Sequence, residues 1–370
     1  MRYTEQDLVR LAKRENNKKR TYLVVNPLQG KHVPVRPGEA FSMFDCLAEL
    51  LKKAYGSERL LLVGFAETAT AIGAAAAEKL GAFYVHTTRE QTGEEEFFFF
   101  SEQHSHATEQ KLLRTGFDRA AEQADRIVFI EDEITTGNTI LNLVRLLRQA
   151  YPDRLEYSAA SLLNGMEEAH LRRYEEERVR LHWLVKTSHA AYGERVLSIR
   201  EDGTYHGCRT EKPDAEPEEH RIAGRADARR VTDGQTYHGA CEGLCKEILR
   251  IRRPDPGSRV LVVGTEECMY PALLLGRRLE RAGHNVRCHS TTRSPIAVSA
   301  DPSCPLHERY ELASLYDSGR RTFLYDLAAY DEVLVVTDAE GGEKEGLYSL
   351  VHALRSCGNE NIRVFRWCSI

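Results

Sequence analysis

The chain has 370 residues, of which 42% are hydrophobic and 29% charged, and its formal net charge is −5. These values are typical of a globular protein with two domains, and the acidic balance argues against a partner bound by neutralising nucleic-acid phosphates. No apolar run approaches the roughly 20 residues of a membrane span, the N-terminus lacks a signal-peptide core, and the nine cysteines include no C-x-x-C pair. The sequence therefore predicts a cytoplasmic protein without a disulfide framework.

The first 39 residues are expected to form a lead-in to the first domain, helical from residue 4 to residue 20. A short strand at residues 22–25 then enters a loop rich in Pro and Gly, which carries Lys31, His32 and Arg36. A helix over residues 40–54 follows.

A strand over residues 60–63 runs into Ala66, Glu67 and Thr68, after which an Ala-rich helix begins. Small residues at such a turn let the backbone approach an anion, although close packing of the helix on the strand explains them equally well. A strand at residues 82–86 precedes Arg89, and the four phenylalanines at 97–100 indicate a buried strand. His104 and His106 then form a His-x-His pair, which suits a metal ion only if a third ligand joins it.

The densest group of polar residues follows the apolar run at residues 127–130. Two adjacent carboxylates come first, and then a hydroxyl-rich loop before a helix over residues 140–147: Glu131, Asp132, Thr135, Thr136, Gly137, Asn138 and Thr139. Unpaired N–H groups at a helix start favour an anion, threonine hydroxyls add donors, and glycine lets the backbone come close. Two carboxylates beside a phosphate suit hydroxyl groups or a divalent cation. The pattern predicts a ribose 5-phosphate as ligand, the alternative being an ordinary strand-to-helix turn.

Further strands are expected at residues 155–163 and 179–185, with a charged helix between them, and residues 189–208 are β-like. Residues 209–230 are charged and nearly free of large apolar side chains, which indicates a linker. The expected domains are thus 1–208 and 231–370. In the second domain Cys241 and Cys245 lie four apart on a helix, where core packing and a metal pair are both open readings.

The second domain repeats the first at an offset of about 200 residues. Residues 259–267 mirror 60–67, Thr291-Thr292-Arg293 mirrors Thr87-Thr88-Arg89, and residues 333–338 mirror 128–132. The threonines that follow the acidic pair are replaced by a stretch with two extra glutamates, which would repel a phosphate. The predicted fold class is therefore α/β, with two tandem Rossmann-like domains built on mainly parallel sheets, the second diverged.

The stretch from Glu131 to Thr139 resembles the phosphoribosyl-pyrophosphate (PRPP) signature of type I, orotate-like phosphoribosyltransferases. The resemblance implies that Glu131 and Asp132 hold the ribose hydroxyls, that Thr135 to Thr139 hold the 5-phosphate, and that Mg²⁺ sits near Asp132 between ribose and pyrophosphate. It implies a pyrophosphate loop at Ala66, Glu67 and Thr68. A closing loop would supply Arg89, His104 and His106, although the family's usual loop lysine is absent and only Lys111 is near. The N-terminal hood would bring Lys31, His32 and Arg36 to the acceptor.

The tetrapeptide Thr292-Arg293-Ser294-Pro295 and the later His307-Glu308-Arg309-Tyr310 resemble the TRSP domain found in tellurite-resistance-associated gene clusters. Arg293, Ser294, His307 and Asp338 are the candidate ligand contacts there, with a structural arginine at a turn as the alternative. The two resemblances together imply transfer of a phosphoribosyl group from PRPP to a base-like nucleophile, with release of pyrophosphate, in the synthesis of a nucleoside-like metabolite. Other enzymes of such a cluster are the implied partners, and a homodimer is common in the family. A PRPP-binding regulator and a non-catalytic scaffold of a biosynthetic complex are the two rival functions.

Overall fold

The computed structural model describes residues 3–15, 20–91, 93, 96–100, 110–152, 154–341 and 344–369. The chain divides into two compact units, each made of three segments. The first unit comprises Met1–Glu5, Phe41–Ser188 and Ala226–Ala240; the second comprises Gln6–Ala40, His189–Arg225 and Cys241–Ile370. This division differs from the expected 1–208 and 231–370, because residues 6–40 and 189–225 pack within the second unit and residues 226–240 pack within the first.

The first unit is built on a six-stranded sheet. In spatial order its strands are Thr232–Asp233, Phe83–His86, Leu60–Gly64, Arg126–Ile134, Glu156–Asn164 and Val179–Lys186. All neighbours are parallel except the first pair. The predicted strands at 60–63, 82–86, 127–130, 155–163 and 179–185 are confirmed, and the central strand runs four residues further than predicted, past the acidic pair.

The second unit holds a five-stranded, wholly parallel sheet. Its spatial order is Glu218–Ile222, Ile362–Trp367, Glu332–Thr337, Arg259–Gly264 and Asn285–Ser290. A smaller sheet combines the hairpin Glu308–Ala313 and Arg321–Tyr325 with Thr204–His206. The α/β class with two mainly parallel sheets is therefore confirmed.

Helices connect these strands and cover the sheets with their apolar faces. In chain order they are Glu5–Leu8, Pro37–Tyr55, Thr70–Leu80, Phe117–Gln123, Asn138–Ala150, Glu168–Glu176, Tyr192–Leu197, Gly234–Ile251, Tyr270–Arg281 and Lys344–Ser356. The helix Asn138–Ala150 illustrates the rule, since Ile140, Leu141, Val144 and Leu147 recur at three- and four-residue spacing and are buried. No helix in these described ranges combines the length and the apolarity that a membrane crossing needs.

A short antiparallel hairpin, Phe97–Phe99 with Lys111–Leu113, accompanies the first sheet. Its side chains alternate, as in any strand: Phe98 and Phe100 are buried, while Phe99 is 57% exposed. The predicted buried strand is thus confirmed for one of its two faces.

The expected linker over residues 209–230 is wrong in its central part. Glu218–Ile222 forms the edge strand of the second sheet, where Glu218 pairs with Arg363 at 2.9 Å and Glu219 pairs with Arg366 at 3.0 Å. An edge strand that makes ion pairs and buries only Ile222 has the composition of a linker, which explains the misreading.

The helix expected over residues 4–20 is also wrong. Among the residues of this stretch that the structure describes, 4–15 and 20, only Glu5–Leu8 is helical, and Arg10–Lys13 pairs antiparallel with Tyr22–Val25. Pairing with a genuine strand outweighs the helical propensity of this polar segment.

The cysteines of the helix Gly234–Ile251 belong to the core. Cys241 and Cys245 are both fully buried, and burial raises the pKa of the Cys245 thiol to about 12. Since metal ligation requires the thiolate, the structure favours core packing over a metal pair.

Candidate functional site

Two strand–loop–helix segments lie side by side at the carboxyl edge of the first sheet. The central strand Arg126–Ile134 leads into the helix Asn138–Ala150, and its parallel neighbour Leu60–Gly64 leads towards the helix Thr70–Leu80. Ligands of open α/β sheets bind outside this edge. A hydrogen bond of 2.9 Å from Thr68 Oγ1 to Asp132 Oδ1 joins the two segments. The two cradles that the sequence predicts therefore adjoin each other.

The acidic pair stands at the end of the central strand. Burial raises the pKa of Glu131 well above its usual value, and Asp132 and Glu133 add to the rise while the charge of Arg89 opposes it. Burial, and then the charge of Glu133, raises the pKa of Asp132 to about 6. Negative charge crowded into a half-buried site is relieved by hydroxyl donors or by a divalent cation.

The predicted phosphate loop, Thr135 to Thr139, comprises the turn at residues 135–137 and the first two residues of the helix Asn138–Ala150. Gly137 stands at the N-cap with φ of +67°, a conformation that glycine adopts without strain. Gly137 has no side chain that could cap the first N–H groups of the helix. One of these groups, Asn138 N, donates to Thr136 Oγ1 at 3.4 Å. Thr135 and Thr139 are half-buried, and Thr136 is exposed. The loop thus has the donors and the close backbone approach that a phosphate needs.

Two residues that the sequence analysis missed hold this loop from the helix Glu168–Glu176. Tyr174, a buried side chain, donates its hydroxyl hydrogen bond to Gly137 O at 2.8 Å, and Arg173 NH1 donates to Asn138 Oδ1 at 2.7 Å. Burial, and then the negative charge of Glu131, raises the pKa of Tyr174. Their helix was predicted as a charged one, but nothing in the local sequence indicates which loop it would contact.

The second loop, Ala66–Thr68, is fixed by its neighbours. Ala66 N donates to Thr87 Oγ1 at 2.9 Å, and Gln110 Nε2 donates to Ala66 O at 3.3 Å. The peptide bond between Ala66 and Glu67 is cis. Close packing on the strand is present as well, because a Cβ on Gly73 would meet the ring of Tyr84 at 2.8 Å.

Arg89 lies just past the strand Phe83–His86. It is half-buried, and its positive charge acts on the carboxyl group of Glu131. The backbone beside it pairs with the hairpin, since Thr88 N donates to Lys111 O at 2.9 Å. His104 and His106, the other cations expected at this point, lie outside the described residues.

The N-terminal candidates Lys31, His32 and Arg36 belong to the second unit. Lys31 is fully buried and its Nζ donates to the carbonyl oxygens of Glu266 and Thr291, both at 3.0 Å. Arg36 Nε pairs with Glu280 at 3.2 Å, and His32 is buried. The acceptor role expected of Lys31 is therefore wrong, because a buried ammonium bonded to carbonyls is not available to a substrate.

The candidate residues of the second unit are all engaged by its own groups. Arg293 pairs with Glu266 at 2.6 Å. Ser294 N donates to Thr292 Oγ1 at 3.2 Å, and His307 Nδ1 lies 3.4 Å from an Asp326 carboxylate oxygen. Asp338 accepts a 2.5 Å hydrogen bond from Tyr316.

The strand register relates the acidic groups of the two units. Gly64 is opposite Ile130 in the first sheet, and Gly264 is opposite Val336 in the second. Counting on two residues along each strand, Asp338 corresponds to Asp132. Glu131 corresponds to a threonine, so the second unit keeps one acid of the pair.

The raised pKa of Asp132 leads to a prediction about stability. The pKa of Asp132 is about 6 in the folded protein and near 3.8 in the unfolded chain, so its ionised form destabilises the fold. This destabilisation is complete above pH 6 and disappears as the pH falls towards 3.8. We expect Asp132→Asn to raise Tm by about 2–4 °C at pH 8, roughly the effect of 1 kcal/mol. The gain should vanish near pH 4. Thermal melts followed by circular dichroism at the two pH values test this, and an equal gain at both would contradict it.

None of the curated proteins with which the chain was compared matches it. Among solved structures, adenine phosphoribosyl transferase from Trypanosoma brucei is 15% identical, with a TM-score of 0.34; the match covers 48% of this chain and 76% of that chain. For orotate phosphoribosyltransferase from Aeropyrum pernix the identity is 18% and the TM-score 0.28, over 43% of this chain and 76% of that one.

Two family models match successive parts of the chain. Residues 8–194, more than half of its length, match the model described as phosphoribosyl transferase. Residues 229–354 match the TRSP domain, described as lying C-terminal to that family. The chain belongs to the phosphoribosyl transferase family and carries the TRSP domain after it.

Proposed function

We propose that the first unit transfers the 5-phosphoribosyl group of PRPP to a nucleophilic acceptor and releases pyrophosphate. The observation that carries this proposal is the hydrogen bond between Thr68 and Asp132. PRPP has its ribose hydroxyls between a 5-phosphate and a pyrophosphate, so its site must bring an acidic pair next to two anion loops. Family membership supports phosphoribosyl transfer in general; PRPP as donor is our inference from the site.

The ribose and its 5-phosphate would bind at the central strand. The ribose hydroxyls would donate to the carboxylates of Glu131 and Asp132, which removes their unfavourable crowding. The 5-phosphate would accept hydrogen bonds from the first N–H groups of the helix Asn138–Ala150 and from the hydroxyls of Thr135 and Thr139. These contacts fix the anomeric carbon in place before reaction.

The leaving pyrophosphate would bind along Ala66–Thr68, with the guanidinium of Arg89 supplying positive charge. The acceptor's lone pair forms a bond to the anomeric carbon while the bond from that carbon to pyrophosphate breaks, and the pyrophosphate takes the electron pair. The configuration at the anomeric carbon inverts. The chain contributes mainly orientation and electrostatic stabilisation to this step.

A magnesium ion suits the same residues. Mg²⁺ is commonly held by one or two carboxylates together with substrate phosphates, and Asp132 with its high pKa offers such a ligand. When bound, the ion neutralises charge on the departing pyrophosphate. Within the described residues, no group of three His, Cys, Asp or Glu is arranged to hold a metal by itself, so oxygens of the substrate would complete the coordination.

Calorimetric titration with PRPP and Mg²⁺ tests the proposal through its stoichiometry. We expect one equivalent per chain, bound by the first unit. Two equivalents would mean that the second unit also binds PRPP, and no binding would contradict the proposal. Release of pyrophosphate from PRPP when cell extract supplies the acceptor then separates a transferase from a protein that only binds PRPP. The link to tellurite resistance stays a prediction of the family resemblance.

A further inference from the structure

The two units build the loop after their first central strand with the same backbone contacts. In the first unit Ala66 N donates to Thr87 Oγ1 at 2.9 Å, and in the second Glu266 N donates to Thr291 Oγ1 at 3.0 Å. In each unit the backbone N of this threonine donates to the carbonyl oxygen of the glycine that ends the neighbouring strand. The distance is 2.9 Å from Thr87 to Gly64 and 3.0 Å from Thr291 to Gly264. Glu266 therefore occupies in the second unit the position that Ala66 occupies in the first.

The arginines that follow these threonines correspond as well. Backbone hydrogen bonds connect Thr88 to Lys111 in the first unit, and the equivalent bonds connect Thr292 to Phe323 in the second. Both threonines also accept a hydrogen bond through Oγ1 from the backbone N two residues on, at 3.0 and 3.2 Å. Arg293 is thus the counterpart of Arg89, and it stands beside the counterpart of the pyrophosphate loop.

The carboxylate of Glu266 is surrounded by donors suited to a larger anion. It is only 1% exposed, and its Oε2 lies 2.6 Å from Arg293 Nε and 2.8 Å from Arg320 NH1. Its Oε1 accepts a 2.5 Å hydrogen bond from Ser314. Two guanidinium groups and a hydroxyl converging on one point are the donor set that proteins use for phosphate oxygens.

Side chains between the two strands of the second unit's hairpin complete this arrangement. Ser314, Tyr316 and Arg320 lie between Glu308–Ala313 and Arg321–Tyr325. Tyr316 donates to Asp338, the counterpart of Asp132, at 2.5 Å. Arg293 and Arg320, which would face a diphosphate, are therefore paired with Glu266. Asp338, which would face a ribose, is bonded to Tyr316.

We propose that the second unit retains a diphosphate-binding site in which the carboxylate of Glu266 occupies the position of the anion. Glu266 acts as a built-in anion that fills the space beside the loop, so the native unit excludes pyrophosphate. Its pairs with Arg293 and Arg320, at 2.6 and 2.8 Å, are shorter than those that the same arginines make with Glu267 and Asp317, at 3.4 and 3.5 Å. The inference rests on the proposed function only for the assignment of Ala66–Thr68 as the pyrophosphate loop. The convergence of the two arginines on a buried carboxylate is independent of it. Removing the carboxylate should reopen the site.

The test is calorimetric titration of the native chain and of Glu266→Ala with inorganic pyrophosphate. We expect the variant to bind one equivalent more than the native chain, and Glu266→Ala combined with Arg320→Ala to return to the native number. Because breaking a buried ion pair is destabilising, Glu266→Gly provides a second variant: it removes the same carboxylate and suits the φ of +47° at this position. A folded variant of either kind without an additional equivalent would overturn the proposal.

Glu332→Ala is the matched control. Glu332 is 2% exposed and its Oε1 also lies 2.8 Å from two arginines, Arg252 and Arg363, but it stands at the start of its strand, at the opposite edge of the sheet. An equal gain of pyrophosphate in this variant would mean that any unpaired arginine pair binds it, which would also overturn the proposal. The comparison counts equivalents relative to the native chain. Absence of binding by the native chain would count against the pyrophosphate loop of the first unit, and an equivalent gained by Glu266→Ala would still support a diphosphate site in the second unit.

Discussion

Asp132→Asn is expected to reduce PRPP-dependent release of pyrophosphate by about 10²–10³-fold, the loss typical of removing one group that stabilises charge in the transition state. The amide keeps the size of the side chain, and its Oδ1 still accepts the hydrogen bond that Thr68 gives to Asp132 at 2.9 Å. The loops should therefore stay in place while the negative charge is lost. The measurement is the rate of pyrophosphate release from PRPP with cell extract as the source of acceptor.

The matched control is Asp338→Asn, which makes the same change at the corresponding position of the second unit. Asp338 accepts a hydrogen bond from Tyr316 within its own unit, so the rate of this variant should equal the native rate. An unchanged rate in Asp132→Asn would refute the assignment of the site. A comparable loss in Asp338→Asn would show that the second unit takes part in the reaction.

The strand, loop and helix that carry the proposed phosphate site could be predicted from sequence because everything that defines them is local. The apolar strand, the acidic pair, the loop at Thr135–Gly137 and the helix follow one another directly, and each is indicated by its own composition. The structure moves only the limits of these elements, extending the strand past the acidic pair. A ligand site built from consecutive residues depends little on how the rest of the chain packs.

The N-terminal candidates show the opposite case. Lys31 is a basic residue in a loop rich in Pro and Gly, so the sequence suggests a ligand contact. Its ammonium is instead buried against the carbonyl oxygens of Glu266 and Thr291, more than 230 residues away along the chain. No local pattern indicates that residues 6–40 pack with the second unit. Contacts between distant segments decide whether such a residue is a ligand contact or a structural one.

The diverged repeat lies between these two cases. The sequence shows the strands and the Thr-Thr-Arg stretches at an offset of about 200 residues. It predicts that the acidic stretch after Asp338 excludes a phosphate from the second domain. The structure adds a different carboxylate, Glu266, whose importance depends on Arg320 and Ser314 contacting it from between the hairpin strands. That contact needs the tertiary fold, so aligning the two halves of the sequence does not reveal it.

Gly137→Ala is expected to weaken both the fold and the binding of PRPP. The φ of +67° costs a residue with a Cβ about 1–2 kcal/mol. The added Cβ would also lie 2.6 Å from ring atoms of Tyr174 and still closer to its hydroxyl, so the loop or the buried ring must move. We expect a loss of about 1–3 kcal/mol in the free energy of unfolding. The affinity for PRPP should fall by about tenfold or more, because the hydrogen bond from Tyr174 to Gly137 O fixes the loop that faces the 5-phosphate.

Gly243→Ala separates this effect from a general intolerance of alanine. Gly243 is exposed in the helix Gly234–Ile251, and a Cβ there meets no atom within 4 Å. Alanine should stabilise this helix by about 0.5–1 kcal/mol and leave PRPP affinity unchanged. Urea unfolding and calorimetric titration of the two variants give both quantities. If Gly137→Ala were destabilised yet bound PRPP with native affinity, the loop before Asn138 would not be the 5-phosphate site. The anion would then have to bind at Ala66–Thr68, the other cradle at this edge of the sheet.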